Sequence, residues 1–202
     1  MAELMIDYIT SLDGFGSADG WPGLWGMGGP EYFAFLEQDA KEEYTTLMGA
    51  TTYRLFAGFA ESGEEDMAEL TARPKVVFSR TLREPLAWGN TTLVAGDAVE
   101  WVRAAKQGAV GLRTIGSPRL CRSLLVAGLV DRYRVVVFPV VNGATGHDRM
   151  YDGWPDVALE PIAGRTLDGA LQLLEFAPTV LDGPPGGDEV DGATADRRPS
   201  SA

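Results

Sequence analysis

Four short turns carry the residue types best suited to chemistry: Ser11-Leu12-Asp13-Gly14, Gly49-Ala50-Thr51-Thr52, Ser79-Arg80-Thr81 and Gly116-Ser117-Pro118-Arg119. Each follows a short strand-like run, and the second and fourth lead directly into a helical pattern. In the fourth, Ser117 is placed to cap a helix, and Pro118 suits its first turn, where a missing N–H does no harm. A strand that ends in a small-residue turn and a helix start aims free backbone N–H groups beyond the strand's end. A phosphate is the natural occupant of such a place. The stretch from Ala109 to Gly146 therefore reads as half of a nucleotide site.

The elements that must position these turns follow from hydrophobic periodicity. Leu4–Ile9, Tyr44–Met48, Lys75–Ser79, Thr91–Ala95, Val110–Ile115 and Val135–Val141 read as strands. The last is apolar almost without a break, as expected of a strand covered on both faces. Helices are predicted from Pro30, with Phe33, Leu36 and Ala40 sharing a face, and after Gly49, with Leu55, Phe56 and Phe59. The capping-box sequence Asp97-Ala98-Val99-Glu100 starts a third, and Pro118 a fourth that carries Leu120, Leu124 and Leu125 and stops at Gly128. The Gly-rich segment 15–29, with Trp21 and Trp25, reads as a loop that is either functional or mobile. The Gly14-x-Gly16 spacing does not complete a dinucleotide fingerprint, which rules out the ordinary Rossmann pattern. His147–Pro155 reads as loop, and Val157–Ile162 and Ala170–Phe176 as an antiparallel pair around Gly164–Gly169. Alternating strands and helices closed by a hairpin predict an α/β fold: a mostly parallel sheet, helices on both faces and an antiparallel C-terminal edge hairpin. Ligands of such sheets lie beyond the carboxyl ends of strands, where all four turns would stand.

Composition bounds the partners. Residues 1–180 are expected to form one domain, and residues 181–202 a disordered acidic Gly/Pro-rich tail with five acids against two arginines. The net charge of −12 argues against general nucleic-acid or anionic-membrane binding. It leaves room for an anionic small ligand, because Arg113, Arg119, Arg122, Arg132 and Arg134 crowd one stretch, although solvated surface charge is the plainer reading of each. A single cysteine, Cys121, permits neither an internal disulfide nor a cysteine-based metal cluster. With no charged-then-apolar leader and no long apolar run, the chain is expected to be cytoplasmic.

Taken in order, SLDG after the first strand, LMGATTY, VVFSRTL and GSPRLCRSLLVAGLVDRYRVVVFPVVNG resemble the reductase domain of riboflavin biosynthesis, the RibD C-terminal type, which shares the dihydrofolate reductase fold. The resemblance runs from about Leu4 to Phe176. It implies an NADPH-dependent reductase, usually a homodimer, acting on a small heterocycle such as a pyrimidine or pterin. Carried over by position, Gly49, Thr51 and Thr52 match the turn and helix start that hold cofactor phosphates. Ser79 and Arg80 match the turn near the adenosine 2′-phosphate, and Gly116, Ser117, Arg119 and Leu120 the turn at the pyrophosphate and nicotinamide side. Asp13, Gly14 and the loop after them take the place of the mobile loop that closes over nicotinamide. Two departures matter. Ala50 stands where the family commonly has arginine; a lost charge-assisted bond to phosphate is worth roughly 1.5–3 kcal/mol, or about ten- to a hundredfold in affinity, and leaves Arg80 as the nearby cation. Ser117 replaces the second family glycine. The H-x-E and P-C-x-x-C signature of the zinc deaminase found in bifunctional riboflavin enzymes is absent from these residues.

Hydride transfer requires a nicotinamide placed over an electrophilic carbon and a source for one proton. Asp13 is the first carboxylate to consider for that proton, with capping of its own turn an equal alternative. Glu31, Glu37 and Asp39 sit on the first long helix, where a dihydrofolate reductase carries its pterin-binding acid; Glu37 and Asp39 otherwise read as solvated charges. Gly14, Trp21, Trp25 and Tyr53 complete the expected substrate side. The tryptophans either stack on a flat ring or plug the sheet edge, and Tyr53 has the core as its alternative. Cys121 reads as a small buried hydrophobe and His147 as a surface residue. The activity implied is that of the 5-amino-6-(5-phosphoribosylamino)uracil reductase. Beside it stand a diverged stand-alone reductase, a dihydrofolate reductase, a non-catalytic nucleotide-binding protein, and a deazaflavin in the same groove.

Overall fold

The structure, a computed structural model, describes residues 1–20, 24–63 and 67–184. Trp21, residues 64–66 of the acidic loop and residues 185–202 of the tail lie outside the described residues. Strand β1 (Leu4–Ser11) is buried along nearly its whole length and lies in the middle of an eight-stranded sheet. Its neighbours are β6 (Gly111–Thr114) and β7 (Arg132–Phe138), both parallel to it. On the β6 side follow β3 (Tyr44–Gly49), β4 (Lys75–Phe78) and β5 (Thr91–Val94), all parallel. On the β7 side the antiparallel hairpin of β9 (Val157–Leu167) and β10 (Leu171–Val180) closes the sheet, giving the order β5-β4-β3-β6-β1-β7-β10-β9. The predicted α/β fold with a mostly parallel sheet and an antiparallel edge is what the chain adopts.

Helix α1 (Pro30–Asp39) carries the chain from β1 to β3, and α2 (Ala50–Glu61) carries it onward to β4, both steps in one direction along the sheet. Helices α4 (Ala98–Ala105) and α5 (Pro118–Val126) carry it back toward β6 and β7. Right-handed crossovers in opposite directions must place the two pairs on opposite faces. The cores agree: Val102, Leu120 and Leu124 pack with Leu4, Leu47 and Leu112 on one face. Tyr32 packs with Val136 and Phe138, and Tyr53 and Ala57 with Met48 and Val77, on the other. Helix α5 ends as predicted, with the N–H groups of Gly128 and Leu129 turned back to Leu125 and Leu124.

Several boundaries differ from expectation, each for a tertiary reason. Part of the Gly-rich loop is a strand, β2 (Phe15–Ala18), because β8 (Gly146–Arg149), also read as loop, pairs with it in a separate two-stranded sheet. The short helix α3 (Ala68–Ala72) was not signalled by its own apolar pattern. The closing hairpin turns more tightly and later than Gly164–Gly169: Asp168 and Gly169 both have positive φ, so β9 runs on through Leu167. On α1 the buried residue is Tyr32, while Phe33 and Leu36 are 46% and 40% exposed, so the predicted apolar face is turned outward. Strand β7 begins at Arg132 and ends at Phe138, because Arg134 is buried within it against Asp7 and Asp39. Among the described residues no helix is long and apolar enough to cross a membrane.

Candidate active site

Because β1, β3, β4 and β6 are mutually parallel, their carboxyl ends form one rim, and the four turns do converge there. A topological switch point of this rim lies between β3 and β6, whose connections diverge along the sheet in opposite directions. Strands β3 and β6 are neighbours, yet α2 leaves the first toward one face and α5 leaves the second toward the other. The crevice opened between two such strands is where open α/β sheets bind ligands.

Ser117 spans this crevice. It sits in the left-handed region (φ 60, ψ 56) directly after Gly116 (φ 51), which turns its side chain away from its own helix. The expected cap is therefore not made: α5 has no side-chain cap, and the Ser117 hydroxyl instead accepts from the Gly49 N–H at 2.9 Å and donates to Thr52 Oγ1 at 2.9 Å. Helix α2 also starts at Gly49 without a side-chain cap. Two helix N-termini with uncommitted first-turn N–H groups thus face one space, each bringing the positive end of its dipole. The positive φ of Gly116 (51°) favours glycine there, and a Cβ would sit in contact with Thr52, 3.4 Å from its Oγ1. Thr51 is exposed beside Thr52 at the mouth. Leu120 is 8% exposed and packs into the core, so its contribution to the crevice is confined to its backbone N–H.

At the end of β4, Ser79 shapes its turn by accepting from the N–H groups of Thr81 and Leu82 at 3.1 and 3.0 Å. Arg80 projects from that turn, exposed. The guanidinium groups of Arg80, Arg119 and Arg122 make no hydrogen bond or ion pair within the described residues. Arg113 and Arg134, which the sequence left as surface or ligand cations, are instead buried and consumed by Asp39, Asp7 and Glu42.

Asp13, the sequence's proton-source candidate, is committed elsewhere. Its carboxylate accepts from the Ser11 hydroxyl at 2.7 Å, the Gly143 N–H at 2.9 Å and the Asn142 N–H at 3.1 Å. The Ser11 bond first, then those from Gly143 and Asn142, hold the carboxyl down to about 2. A carboxylate ionised throughout the neutral range has no proton to give, and these contacts favour holding its own turn through Ser11 and the Asn142-Gly143 turn over the role of proton donor. The first-helix acids are likewise spoken for. Glu31 accepts from the Asp168 N–H, Glu37 pairs with Lys41 at the surface, and Asp39 lies in the buried ion cluster.

On the α1 face of the rim, Trp25 packs its ring 5.1 Å from that of Phe138 and donates its indole N–H to Asn142 Oδ1 at 3.0 Å. Trp25 therefore covers the end of β7, and Gly14 lies at the end of β1. Tyr53 is a core residue, 5% exposed, with its hydroxyl accepting from the Trp88 N–H, and its expected substrate contact is withdrawn. Asn142 was missed by sequence reasoning. It ties Asp13 to Trp25, and its amide nitrogen is buried without a hydrogen-bond partner. Asn142-Gly143 was legible as a turn dipeptide, but its partners stand more than a hundred residues away in sequence.

The RibD C-terminal domain model matches residues 2–173. No curated protein sequence matches the chain. Among solved structures, a riboflavin biosynthesis protein described as putative, from Shewanella sp. PV-4, superposes with a TM-score of 0.66 at 18% identity, over 89% of this chain and 99% of the other. A pyrimidine reductase-like protein from Corynebacterium diphtheriae gives 0.60 at 14% identity, over 88% and 92%. A bifunctional diaminohydroxyphosphoribosylaminopyrimidine deaminase/5-amino-6-(5-phosphoribosylamino)uracil reductase from Thermotoga maritima gives 0.59 at 15% identity, with this chain spanning 57% of its length. At such identities the superpositions speak for the dihydrofolate-reductase-like fold alone, while the family model covers most of the sequence: the chain belongs to the RibD C-terminal domain family.

Proposed function

We propose that the chain is an NADPH-dependent reductase of a small heterocycle, with the dinucleotide seated across the crevice between β3 and β6. The observation that carries this reading is the pair of uncapped helix N-termini facing one another at the switch point, bridged by Ser117. The donor set fits a diphosphate: first-turn N–H groups of α2 and α5, with the free guanidinium of Arg119 at the second helix. Arg80, exposed at the end of β4, is the cation for a 2′-phosphate, in the absence of the family arginine at Ala50. Bound there, the cofactor would supply a hydride. The protein's own part is to orient the reacting ring with Trp25, Asn142 and the end of β1, and to exclude water on the α1 face.

By family and by the relatives' described activities, the substrate closest to hand is the uracil derivative reduced in riboflavin synthesis. Ala50 and Ser117, both departures from the family pattern, favour as second reading a stand-alone reductase of another heterocycle. The same reading includes a homodimer, with the β9–β10 hairpin as its contact surface. Tryptophan-fluorescence titration with NADPH and NADH, on the unaltered chain and on Arg80→Ala, tests the assignment. Saturable NADPH binding that weakens at least tenfold in the variant is expected, and NADH binding that Arg80→Ala leaves unchanged. Equal affinity for both cofactors would remove the phosphate role of Arg80, and binding of neither would defeat the nicotinamide reading.

A further inference from the structure

On the α5 face of β1 and β7 three tyrosine hydroxyls form a chain. Tyr8 and Tyr133 are 6% and 3% exposed, and their hydroxyls lie 2.6 Å apart. Tyr133 and Tyr151 hydroxyls lie 3.0 Å apart, and Tyr151 is 44% exposed. Each hydroxyl has one hydrogen to donate. If Tyr133 gave its hydrogen to Tyr8, the Tyr8 hydrogen would be buried with no acceptor. If Tyr8 and Tyr151 both gave theirs to Tyr133, the Tyr133 hydrogen would be stranded in the same way. An unmade bond on a buried donor costs about 1–3 kcal/mol, so one arrangement remains: Tyr8 donates to Tyr133, Tyr133 to Tyr151, and the Tyr151 hydrogen points outward. Burial pushes the Tyr8 and Tyr133 hydroxyls well above the usual tyrosine range, so both keep their hydrogens.

The outward end of the chain stands at the rim. The Tyr151 ring lies 3.1 Å from where a Gly14 Cβ would be, and the Met150 N–H donates to the Gly14 carbonyl at 2.9 Å. The tyrosine is thus held against the turn that ends β1, the strand next to β6. The unpaired Arg122 guanidinium lies against Gly153, two residues on, about 3.6 Å from where its Cβ would be. Trp154, edge-on to Tyr151 at 5.5 Å, has a buried indole N–H with no acceptor. Donors accumulate here on the face from which α5 leaves the crevice.

We propose that Tyr151 is a binding residue for the dinucleotide: its hydroxyl, oriented by Tyr133 and Tyr8, donates to a ligand oxygen on the α5 side of the rim. This rests on the reductase reading above. The oxygen belongs either to the diphosphate or to the nicotinamide carboxamide. The test uses the full chain, NADPH, and 2′-phospho-ADP-ribose, which lacks the nicotinamide. Tyr151→Phe is expected to weaken NADPH binding about tenfold, the equivalent of one hydrogen bond of about 1.4 kcal/mol. Tyr133→Phe, which removes the hydrogen bond that orients Tyr151 but leaves its hydroxyl in place, is expected to lower stability to urea and to weaken NADPH binding by less than Tyr151→Phe does. Equal weakening of the fragment assigns the bond to a diphosphate oxygen, and weakening of NADPH alone assigns it to the carboxamide. Unaltered NADPH affinity in Tyr151→Phe, with the parent chain binding, overturns this inference while sparing the reductase reading. A Tyr133→Phe variant as weak as Tyr151→Phe would make the effect one of packing and overturn it too. A parent chain that binds no NADPH would overturn both.

Discussion

At the scale of single residues, Ser117 shows how a left-handed backbone position is accommodated without glycine. A non-glycine residue in the left-handed region costs roughly 1–2 kcal/mol. The Ser117 hydroxyl offsets this with its two bonds across the crevice, to Gly49 and Thr52. Ser117→Ala keeps the strain and loses both bonds, an expected loss of about 2 kcal/mol at about 1 kcal/mol per neutral bond. Ser117→Gly loses the same bonds but relieves the strain, and should be more stable than Ser117→Ala by about 1 kcal/mol. Urea unfolding of the two variants decides the point; an alanine variant as stable as the glycine one would remove the strain argument. The sequence showed that Ser117 begins a helix. Its partners could not be read, because a left-handed φ is invisible in the residue type and both contacts join segments brought together only by sheet formation.

At the scale of elements, α1 is fastened at both ends by groups distant in sequence. At its start Asp168, from the β9–β10 turn, accepts from the N–H groups of Glu31 and Tyr32 at 2.9 and 3.0 Å, and Glu31 returns the bond to the Asp168 N–H. At its end Asp39 meets the buried Arg134 at 2.7 Å and the buried Arg113. Burial pushes the Asp39 carboxyl up, but the two arginines outweigh it and leave it lowered. Arg134 keeps Asp7 and Arg113 keeps Glu42 if Asp39 is removed, which sets the loss in Asp39→Ala at the lower end of the range for a broken buried pair, about 3 kcal/mol. Since the folded carboxyl titrates below its unfolded value, its contribution is complete at neutral pH and fades as pH falls through the acid range. The parent chain should therefore lose stability to acid more steeply than Asp39→Ala, as thermal melts from pH 7 downward would show; parallel curves would contradict it. Strands and helices with their own periodicity were legible. The exceptions were elements defined by a distant partner: β2 by β8, the outward face of α1 by Asp168 and Asp39, and the arginine inside β7 by Asp7.

At the scale of the whole molecule, the convergence of four turns on one rim was legible, because parallel order follows from strand–helix alternation. What the alternation does not specify is how far the closing hairpin extends. Strands β9 and β10 run on past the residues that pair with β7, and their register places Val157, Leu159, Pro161, Phe176, Pro178 and Val180 on one face. Leu159 and Val180 on that face are 40% and 38% exposed. A two-stranded ribbon with apolar side chains open to water is weakly stable alone, and a long exposed edge invites pairing with another chain. A second copy meeting the same face would cover the strip symmetrically, and a stable interface of this kind buries on the order of 1,600 Å² in total. Sedimentation at micromolar concentration should therefore give a dimer. Leu159→Asp, which puts an unpaired charge at the centre of the strip, should give a folded monomer with an unchanged helical signal. The charge leaves the core untouched, because Leu159 faces solvent in the single chain. A parent chain that sediments as a monomer would sink the proposal, as would a Leu159→Asp variant that remains a dimer.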